Sequence, residues 1–525
     1  MSKLFSLSSF CESAVLQRVG VITDKLLSLP ERRAERCFFV LFFLYHAFQF
    51  CVLHFSPYCL SADETHYWDW SRRLDIAYYS KGPIIALLIW ASTGLFGDTA
   101  TAVRLPALLC SAGFSLGIYF FAKHLWGSAA ALFTWILFRT TLGFAVLGLI
   151  ATTDPPVMLF WLLAVILVHS ASVYQRNWCW PAAGLCMCLA VLSKYTAFIL
   201  PVGVLLFVLG SPELRRRLFS MPVIACFAVA ACSILPVLLW NQKHDWVNLL
   251  HNAGHVVSQK HRGLTLKYTA ELFAGQLGLV GPIILVAVCW AMVRALRNRG
   301  TNSAAERLFF WSAVPLTAVC LAVSLTKRVY ANWPSPLFVG GLFLLAGAVV
   351  AKNHARLRRV VAAGILLNCV ICGVAFVPIL GYTLGVPAKY LTTKKLVGWD
   401  QLGAAVQQEL SKAEPSLFVL TSDYEHASAI AFYAASHPQV FVANLQDRRM
   451  NQYDIWGGIE ANSGKDALIV LDNAEKVGGL APYFSRIEQL RDPLSVEYSG
   501  DEIRRFFFYR GIRYNGQPFP PLSRY

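Results

Sequence analysis

Long apolar stretches recur over about the first 380 residues of the chain, and short polar turns separate them. A stretch of about 20 apolar residues is long enough to cross the hydrocarbon core of a bilayer as a helix. The pattern therefore predicts a polytopic α-helical membrane protein. The apolar stretches cover residues 37–54, 82–97, 105–121, 127–150, 156–173, 181–210, 221–240, 271–293, 307–325, 335–351 and 359–381.

Basic turns between these stretches set the predicted orientation, because lysine and arginine are enriched on the cytoplasmic side of membranes. If all of these turns are cytoplasmic, an even number of crossings separates each from the next. The even number is reached when residues 127–150 form two segments that are broken near Arg139, and residues 181–210 form two segments that are broken near Lys194. The total is then about 13 transmembrane helices. The basic turns cover residues 31–36, 215–217, 294–299 and 352–359.

This scheme divides the chain into a cytoplasmic segment (1–36), a transmembrane module (37–381) and an outer domain (382–525). It also puts every polar group that is expected to be functional on the outer face, an agreement that the positions of the basic turns do not impose. Those groups are the loop 55–81, Asp154, Lys194, the loop 241–270 and the pair Lys327-Arg328.

The composition changes after about residue 382, where short apolar runs alternate with polar, helix-like segments such as residues 399–412. This alternation predicts a small C-terminal α/β domain. No glycine-rich phosphate loop follows any of its predicted strands, so a nucleotide site is unsupported. The strand-like runs cover residues 417–420, 440–443, 467–471 and 506–509.

Composition fits a membrane protein, since 56% of the residues are hydrophobic and only 14% are charged. A net charge of +16 would suggest nucleic-acid binding in a soluble protein, but here most basic clusters lie between apolar spans as membrane anchors. None of the 14 cysteines forms a paired CxxC motif, and the CxxC at Cys369 and Cys372 lies within an apolar run. We therefore expect neither a nucleic-acid partner nor a zinc site.

The loop after the first apolar stretch contains an acid pair, Asp63 and Glu64, among the aromatic residues Tyr67, Trp68 and Tyr79. Acidic residues at a membrane boundary are costly unless they are used. A carboxylate between flat aromatic faces can act as a general base toward a sugar or acceptor hydroxyl. The alternatives are a solvated carboxylate and an interfacial aromatic belt.

Asp154 and three cations form the second group of candidates. Asp154 precedes Pro155-Pro156 at a helix start, where it could also serve as an N-cap. Lys81, Lys194 and Arg328 lie at the same predicted membrane face and could neutralise a phosphate leaving group. The alternative for each cation is an extended side chain that reaches lipid phosphates.

The loop 241–270 is rich in histidine, with His251 and His255 four residues apart. That spacing can bind a metal on a helix. No glutamate follows His251 directly, so the HExxH pattern is absent. We favour a structural or acceptor-contacting loop, and a divalent metal cofactor is unsupported.

Several of these motifs together resemble those of the family 39 membrane glycosyltransferases of the GT-C fold. The first loop reads DETHYWDW followed by YYSKGP, and later elements read TTDPP, LSKYTA and KRVYANWPSP. The family includes protein O-mannosyltransferases and transferases that add aminoarabinose to lipid A. In the tail, RRMNQYD is similar to a bacterial branch with unassigned acceptor.

The resemblance implies a polyprenyl-phosphate-linked sugar as donor, thirteen membrane spans and an outer C-terminal domain. The family's acid pair matches Asp63 and Glu64, its second acid matches Asp154, and its phosphate-contacting lysine matches Lys81. The aminoarabinose transferases usually have a lysine-proline pair where this chain has Lys81-Gly82-Pro83. The sugar and the acceptor therefore stay open.

These observations predict an inverting glycosyltransferase in the bacterial cytoplasmic membrane, with its active site facing outward among membrane lipids. Asp63 takes the acceptor proton, Glu64 and Asp154 orient the acceptor or share the base role, and Lys81 neutralises the phosphate with help from Lys194 and Arg328. No cofactor is required.

A transporter or flippase of lipid-linked sugars is the alternative. It would carry polar groups at mid-membrane, usually in two repeated halves, and no repeat is evident. A membrane scaffold is weaker still, because it gives no reason for the acid pair.

Overall fold

A computed structural model describes residues 14–256, 264–298, 300–351, 354–383, 387, 393–412, 417–445, 449–498 and 500–519. The chain forms two compact units. The first comprises Met1–Cys51, Ala107–Pro236 and Gly254–Ala375, and the second comprises Val52–Pro106, Val237–Ala253 and Phe376–Tyr525.

The described residues are mainly helical. The α-helices are Ala14–Leu27, Glu31–Phe55, Ala62–Ser71, Ile84–Phe96, Ala100–Trp126, Ser128–Thr140, Leu142–Ala145, Asp154–Val173, Cys179–Ser193, Ile199–Leu209, Pro212–Arg215, Met221–Ala231, Ile234–Lys243, Val247–Val256, Lys267–Val280, Pro282–Arg297, Ala304–Ser324, Leu337–Val350, Ala355–Thr383, Trp399–Lys412, Tyr424–Tyr433 and Tyr453–Trp456. Short 3-10 helices cover Tyr195–Phe198, Lys394–Leu396, Ile459–Asn462 and Ala474–Tyr483.

Six helical segments within the described residues are long and apolar enough to cross a membrane, which confirms the polytopic helical class. Four other apolar helices are shorter, from 10 to 17 residues. The predicted count of 13 spans stays a prediction. The six segments are Glu31–Phe55, Ala100–Trp126, Asp154–Val173, Met221–Lys243, Ala304–Ser324 and Ala355–Val377.

The apolar run 271–293, which is expected to supply one crossing, contains a sharp bend. Lys267–Val280 and Pro282–Arg297 are separate helices bent by 107°. Gly281 between them has φ +85, a conformation that glycine adopts without steric cost. Pro282 then begins the next helix, where its missing N–H leaves no helical bond unmade. Apolar composition alone does not reveal such a bend.

A helix ends at each predicted division, although residues 141–150 contain only the four-residue helix Leu142–Ala145, and the crossings on either side of each division stay predictions. One helix ends at Thr140, and another ends at Ser193, where the backbone of Lys194 is extended. Arg139 is buried at the first division. Its guanidinium donates to the carbonyl oxygens of Ser111 at 2.6 Å and Phe144 at 2.8 Å, so the charge satisfies carbonyls near the break.

Glycines let the helices of the first unit pack closely, as small residues do in membrane bundles. A Cβ on Gly184 would lie 2.2 Å from the carbonyl oxygen of Cys226, and one on Gly340 would lie 2.2 Å from that of Phe309. Replacing either glycine would force two backbones apart.

The second unit contains a five-stranded sheet whose strand order is β2-β1-β3-β5-β4. β1 pairs in parallel with β2 and β3, whereas β5 pairs antiparallel with β3 and β4. Leu420 of β1 lies beside both Phe441 and Ile469, and all three belong to the apolar core of the sheet. The strands are β1 Phe418–Thr421, β2 Val440–Val442, β3 Ala467–Leu471, β4 Phe484–Tyr498 and β5 Asp501–Tyr514.

Four of these strands lie where the apolar runs predicted them, and the helix Trp399–Lys412 matches its predicted bounds. β4 was not expected from the sequence, because its residues are mostly polar and it contains Pro493. It lies at the sheet edge with register shifts around Arg491, a position where proline and charged residues are tolerated.

Candidate active site

The acid pair lies in the first turn of the helix Ala62–Ser71, rather than in a plain loop. Ser61 caps this helix: its hydroxyl accepts from the Glu64 amide at 3.4 Å, and the Glu64 carboxylate accepts from the Ser61 amide at 2.9 Å. This reciprocal capping box is encoded by the S-x-x-E pattern, a local signal that the sequence interpretation missed. Eight of the ten helix residues are buried, so the helix is a fixed base for Asp63.

Glu64 is held by a buried arginine. Its carboxylate accepts from Arg104 Nε at 2.8 Å and from Arg104 Nη2 at 2.9 Å, and both residues are almost completely buried. Arg104 also donates to the Cys59 carbonyl oxygen at 3.0 Å. A carboxylate that accepts two hydrogen bonds from a guanidinium and one from a backbone amide is poorly placed to accept a proton. The geometry favours a positioning role for Glu64.

Asp63 is the exposed member of the acid pair, and it lines a cavity of about 530 Å³. Its surroundings limit its hydration and raise the pKa of its carboxyl, with a smaller raising effect from Glu64. The charge of Lys81 acts in the opposite direction and lowers the same pKa. Asp63 and Lys81 are therefore near enough to interact electrostatically, and their roles as base and phosphate partner stay predictions.

Three cations from the tail line the same cavity, namely Lys394, Lys395 and Arg504. The Arg504 guanidinium lies 3.8 Å from the ring centroid of Trp399 and donates to the Lys395 carbonyl oxygen. The half-buried ring of Tyr424 is also on the wall, and the charge of Asp63 helps burial to raise the pKa of its hydroxyl. The sequence interpretation missed this cluster, although the pair of lysines before Trp399 was a visible signal.

The aromatic residues proposed to contact sugar are buried in the protein. The Trp68 indole donates to Asp98 at 2.6 Å, and Tyr67 packs edge-on against Trp70 with ring centroids 5.0 Å apart. The Tyr79 hydroxyl donates to the Arg449 carbonyl oxygen at 2.9 Å. Burial of Tyr67, Trp68 and Tyr79 favours a structural role over sugar stacking.

Asp154 lies in the first unit, where it is half-buried and pairs with the buried Lys194. Lys194 Nζ lies 2.6 Å from one carboxylate oxygen, and Asn332 donates to the other at 2.9 Å. Helix Asp154–Val173 has Thr153 at its N-cap position, so the carboxylate contacts these side chains instead of capping the helix. Asn332 belongs to the quoted NWP element but was not among the predicted site residues.

Asp154 also lines a cavity of about 240 Å³ in the first unit. Most of the wall is apolar, and Asp154, Asn332 and Gln276 supply polar groups. Arg328 does not line this cavity. Its side chain is 69% exposed, and its guanidinium lies 3.4 Å from Glu271. An exposed arginine paired with a glutamate is a weaker phosphate ligand than a buried one.

The histidine loop is described only in part. The His251 ring packs against Tyr79 with centroids 4.6 Å apart, whereas residues 257–263 and the His255 side chain lie outside what the structure describes. The described residues hold one group with metal-ligand geometry, Asp423, His426 and Asp472. Asp423 Oδ2 lies 2.6 Å from His426 Nδ1, and Asp472 Oδ1 lies 2.6 Å from the Lys476 ammonium, so side chains of the protein already contact these ligand atoms.

Comparisons with known proteins agree with this fold. Residues 80–240 match the family model described as dolichyl-phosphate-mannose-protein mannosyltransferase. The lipid A galacturonosyltransferase RgtD of Rhizobium johnstonii is 33% identical over 58% of this chain and 64% of its own length. The undecaprenyl phosphate-α-4-amino-4-deoxy-L-arabinose arabinosyl transferase of Erwinia tasmaniensis is 27% identical over 72% of this chain and 65% of its own. The chain thus spans just under two thirds of these two relatives.

The solved structure of ArnT from Cupriavidus metallidurans in the apo state has the same fold. It aligns with 91% of this chain and 98% of its own at a TM-score of 0.61 and 16% identity. ArnT bound to undecaprenyl phosphate aligns with 90% of this chain and 97% of its own at a TM-score of 0.59 and 17% identity. The resemblance to GT-C glycosyltransferases drawn from the motifs is confirmed.

Proposed function

We propose that the protein is an inverting glycosyltransferase that moves a sugar from a polyprenyl-phosphate donor to an anionic envelope glycolipid of the lipid A type. The observation that carries the proposal is Asp63: a carboxyl with a raised pKa, fixed by a capped helix at a cavity of about 530 Å³ that three cations also line. The relatives RgtD and arabinosyl transferase support the donor and acceptor classes through their names.

In the proposed reaction, an acceptor oxygen attacks the anomeric carbon of the donor sugar. Asp63 takes the acceptor proton while the bond between the anomeric carbon and the phosphate oxygen breaks. The polyprenyl phosphate leaves with the bonding electrons, and Lys81 neutralises its charge. A single displacement inverts the anomeric configuration and needs neither a nucleotide nor a covalent intermediate.

The raised pKa of Asp63 suits this role, because a base accepts a proton more readily as its pKa approaches the working pH. Glu64 positions the helix through Arg104. In the first unit, Asp154 holds Lys194, so we assign Asp154 to orienting that lysine and regard it as a weaker base. The apolar cavity beside Asp154 suits a prenyl chain, with Lys194 and Arg328 as the weaker candidates for phosphate contact.

The cations Lys394, Lys395 and Arg504 favour an acceptor that carries a negative group near the attacked position. The orientation from the basic turns supports an active site on the outer face of a bacterial cytoplasmic membrane. It also supports about thirteen spans, a cytoplasmic segment 1–36, a membrane module 37–381 and an outer domain 382–525.

The test is transfer by the purified full chain in lipid nanodiscs. Undecaprenyl-phosphate carrying aminoarabinose, galacturonate or mannose is supplied with lipid A, and products are identified by mass spectrometry. We expect one of these donors to give glycosylated lipid A, Asp63→Asn to abolish it, and the exposed control Asp501→Asn to retain it. Full activity of Asp63→Asn would overturn the assignment of the base. The proposal of lipid A as acceptor fails if no donor glycosylates it.

A further inference from the structure

A second cavity, of about 260 Å³, lies in the sheet-containing unit away from the residues assigned to transfer. Phe441 of β2, Phe519 and Trp456 line this cavity, and the Arg73 guanidinium lies 4.3 Å from the centroid of the Trp456 ring. Gly457, directly after Trp456, has nothing within 4 Å of its would-be Cβ, so the chain beside the ring is open.

The carboxylate of Asp454 holds the segment that carries Trp456 in place. Asp454 Oδ2 accepts from the Met450 amide at 2.7 Å, from the Asn451 amide at 3.2 Å and from Asn444 Nδ2 at 3.0 Å. These bonds fix the segment that carries Trp456. The cavity wall is thus ordered before any ligand arrives, which lowers the entropic cost of binding.

The polar groups that line this cavity include both hydrogen-bond donors and hydrogen-bond acceptors. Within the described residues, Arg73 is in no ion pair, and its planar guanidinium, which carries five N–H donors, lies over the Trp456 ring. Glu460 is exposed on the lining and is also in no ion pair among the described residues, so it offers only acceptors. Asn444 and Gln439 contribute amides.

We propose that this cavity binds one saccharide unit of a glycan. Sugar hydroxyls both donate and accept hydrogen bonds, so they match a lining with guanidinium donors and carboxylate acceptors. The apolar face of a sugar ring also packs on aromatic rings such as Trp456. A phosphate or other simple anion fits less well, because the carboxylates Asp454 and Glu460 share the lining with Arg73 and Arg449, and Arg449 is already paired with Asp245 at 2.8 Å. The volume, near the lower end of the roughly 300–1,000 Å³ of small-molecule sites, suits a short glycan segment.

The cavity is connected to the proposed site by one helix of the same unit. Asp63 is in the first turn of Ala62–Ser71, and Arg73 follows the end of that helix. Ten residues at 1.5 Å each give a helix of about 15 Å. Asp69 on this helix accepts from the Tyr453 hydroxyl at 2.7 Å and so ties it to the segment bearing Trp456. The bound unit would therefore be distal to the sugar that is attacked.

The test measures binding without any donor, so its result is independent of transfer. Full-length protein in nanodiscs made with deuterated lipid is mixed with maltotriose or trigalacturonate, and contact is detected by saturation-transfer NMR with titration. We expect binding of at least one oligosaccharide. Trp456→Ala and Arg73→Gln should each weaken it about tenfold, which corresponds to about 1.4 kcal/mol.

Two control variants test whether the oligosaccharide binds at this cavity or elsewhere on the protein. Arg486→Gln removes an exposed arginine of β4 outside the cavity, and Asp63→Asn alters the proposed base. Both should bind as the wild type does. Thermal midpoints verify folding, and Arg73→Gln carries the test if Trp456→Ala is unstable.

Three results would overturn the proposal. The first is no detectable binding of either trisaccharide by the wild type. The second is binding that Asp63→Asn weakens while Trp456→Ala and Arg73→Gln leave it unchanged, because the sugar would then occupy the cavity at Asp63. The third is displacement of the trisaccharide by inorganic phosphate at equal concentration, which would identify an anion site.

Discussion

Removing the charge of Glu64 should destabilise the protein more than removing the charge of any exposed acid. In Glu64→Gln, the buried Arg104 guanidinium loses the carboxylate that it contacts at 2.8 and 2.9 Å. Breaking a buried ion pair on one side costs about 3–5 kcal/mol, because the remaining charge is buried without a counter-ion. The exposed pair Arg505–Glu502 provides the control, since solvent screens the attraction between exposed charges and leaves them little effect on stability.

The partner variant distinguishes positioning from chemistry. Arg104→Met alone leaves Glu64 buried without its cation and should be destabilised in the same range of about 3–5 kcal/mol. Glu64→Gln with Arg104→Met leaves no buried charge at this pair. We expect the double variant to recover much of the lost stability, with a coupling energy toward the upper part of the usual range of about 0.5–3 kcal/mol.

The assay is the midpoint of thermal unfolding in detergent, followed through the reaction of buried cysteines with a thiol dye, together with the transfer rate. If Glu64 positions Asp63, the double variant regains transfer together with stability. The reasoning is refuted if Glu64→Gln unfolds at the same midpoint as Glu502→Gln and still has no transfer activity. A double variant that is stable but inactive would also refute it, since Glu64 would then take part in chemistry.

Four further outcomes are expected. Asp63→Asn should lower kcat about 100-fold or more without changing the abundance of the protein, since general bases typically contribute factors of about 10²–10⁴ to the rate. The wild-type transfer rate should rise with pH, because the base must be ionised. The rise should occur above the pKa of about 3.9 of a free aspartate, because the pKa of Asp63 is raised. Lys81→Ala should move this rise in rate to still higher pH, because the lysine lowers the pKa of Asp63, and it should raise the KM for the donor. Lys81→Arg should retain the wild-type pH profile and donor KM. Steady-state kinetics across pH measures both quantities, and an unchanged pH profile of Lys81→Ala contradicts the proposed interaction. Asp154→Asn should weaken donor use by releasing Lys194, measured as KM for the donor; a loss explained by abundance alone returns Asp154 to a structural role. Ser463→Cys, in the predicted outer domain, should react with an impermeant thiol reagent in cells whose outer barrier has been opened. Glu213→Cys, beside the basic turn 215–217, should stay protected until the inner membrane is permeabilised. The reverse labelling pattern contradicts an active site that faces outward.

The sequence was informative wherever structure depends on neighbouring residues. Apolar length predicted the spans, and the polar interruptions at Arg139 and Lys194 predicted where two helices end. Apolar runs predicted four strands, because buried strands need continuous apolar residues. The S-x-x-E pattern at Ser61 encodes the start of the ten-residue helix Ala62–Ser71, in a segment that the apolar pattern predicts as a loop. Periodicity and capping act within one turn or one strand, so they can be read locally.

Tertiary structure decided which charges meet. Nothing near Glu64 in the sequence selects Arg104, 40 residues later, as its partner, and the lysines 394 and 395 lie more than 300 residues from Asp63, whose cavity they line. The same holds for β4, whose polar residues form a strand because β5 supplies its hydrogen bonds. The energy of a buried charge depends on which groups surround it after packing, and packing brings together residues that local patterns cannot relate. Asp63 was thus identifiable as an acid from the sequence, whereas its exposure, its raised pKa and its cationic surroundings were set by the fold.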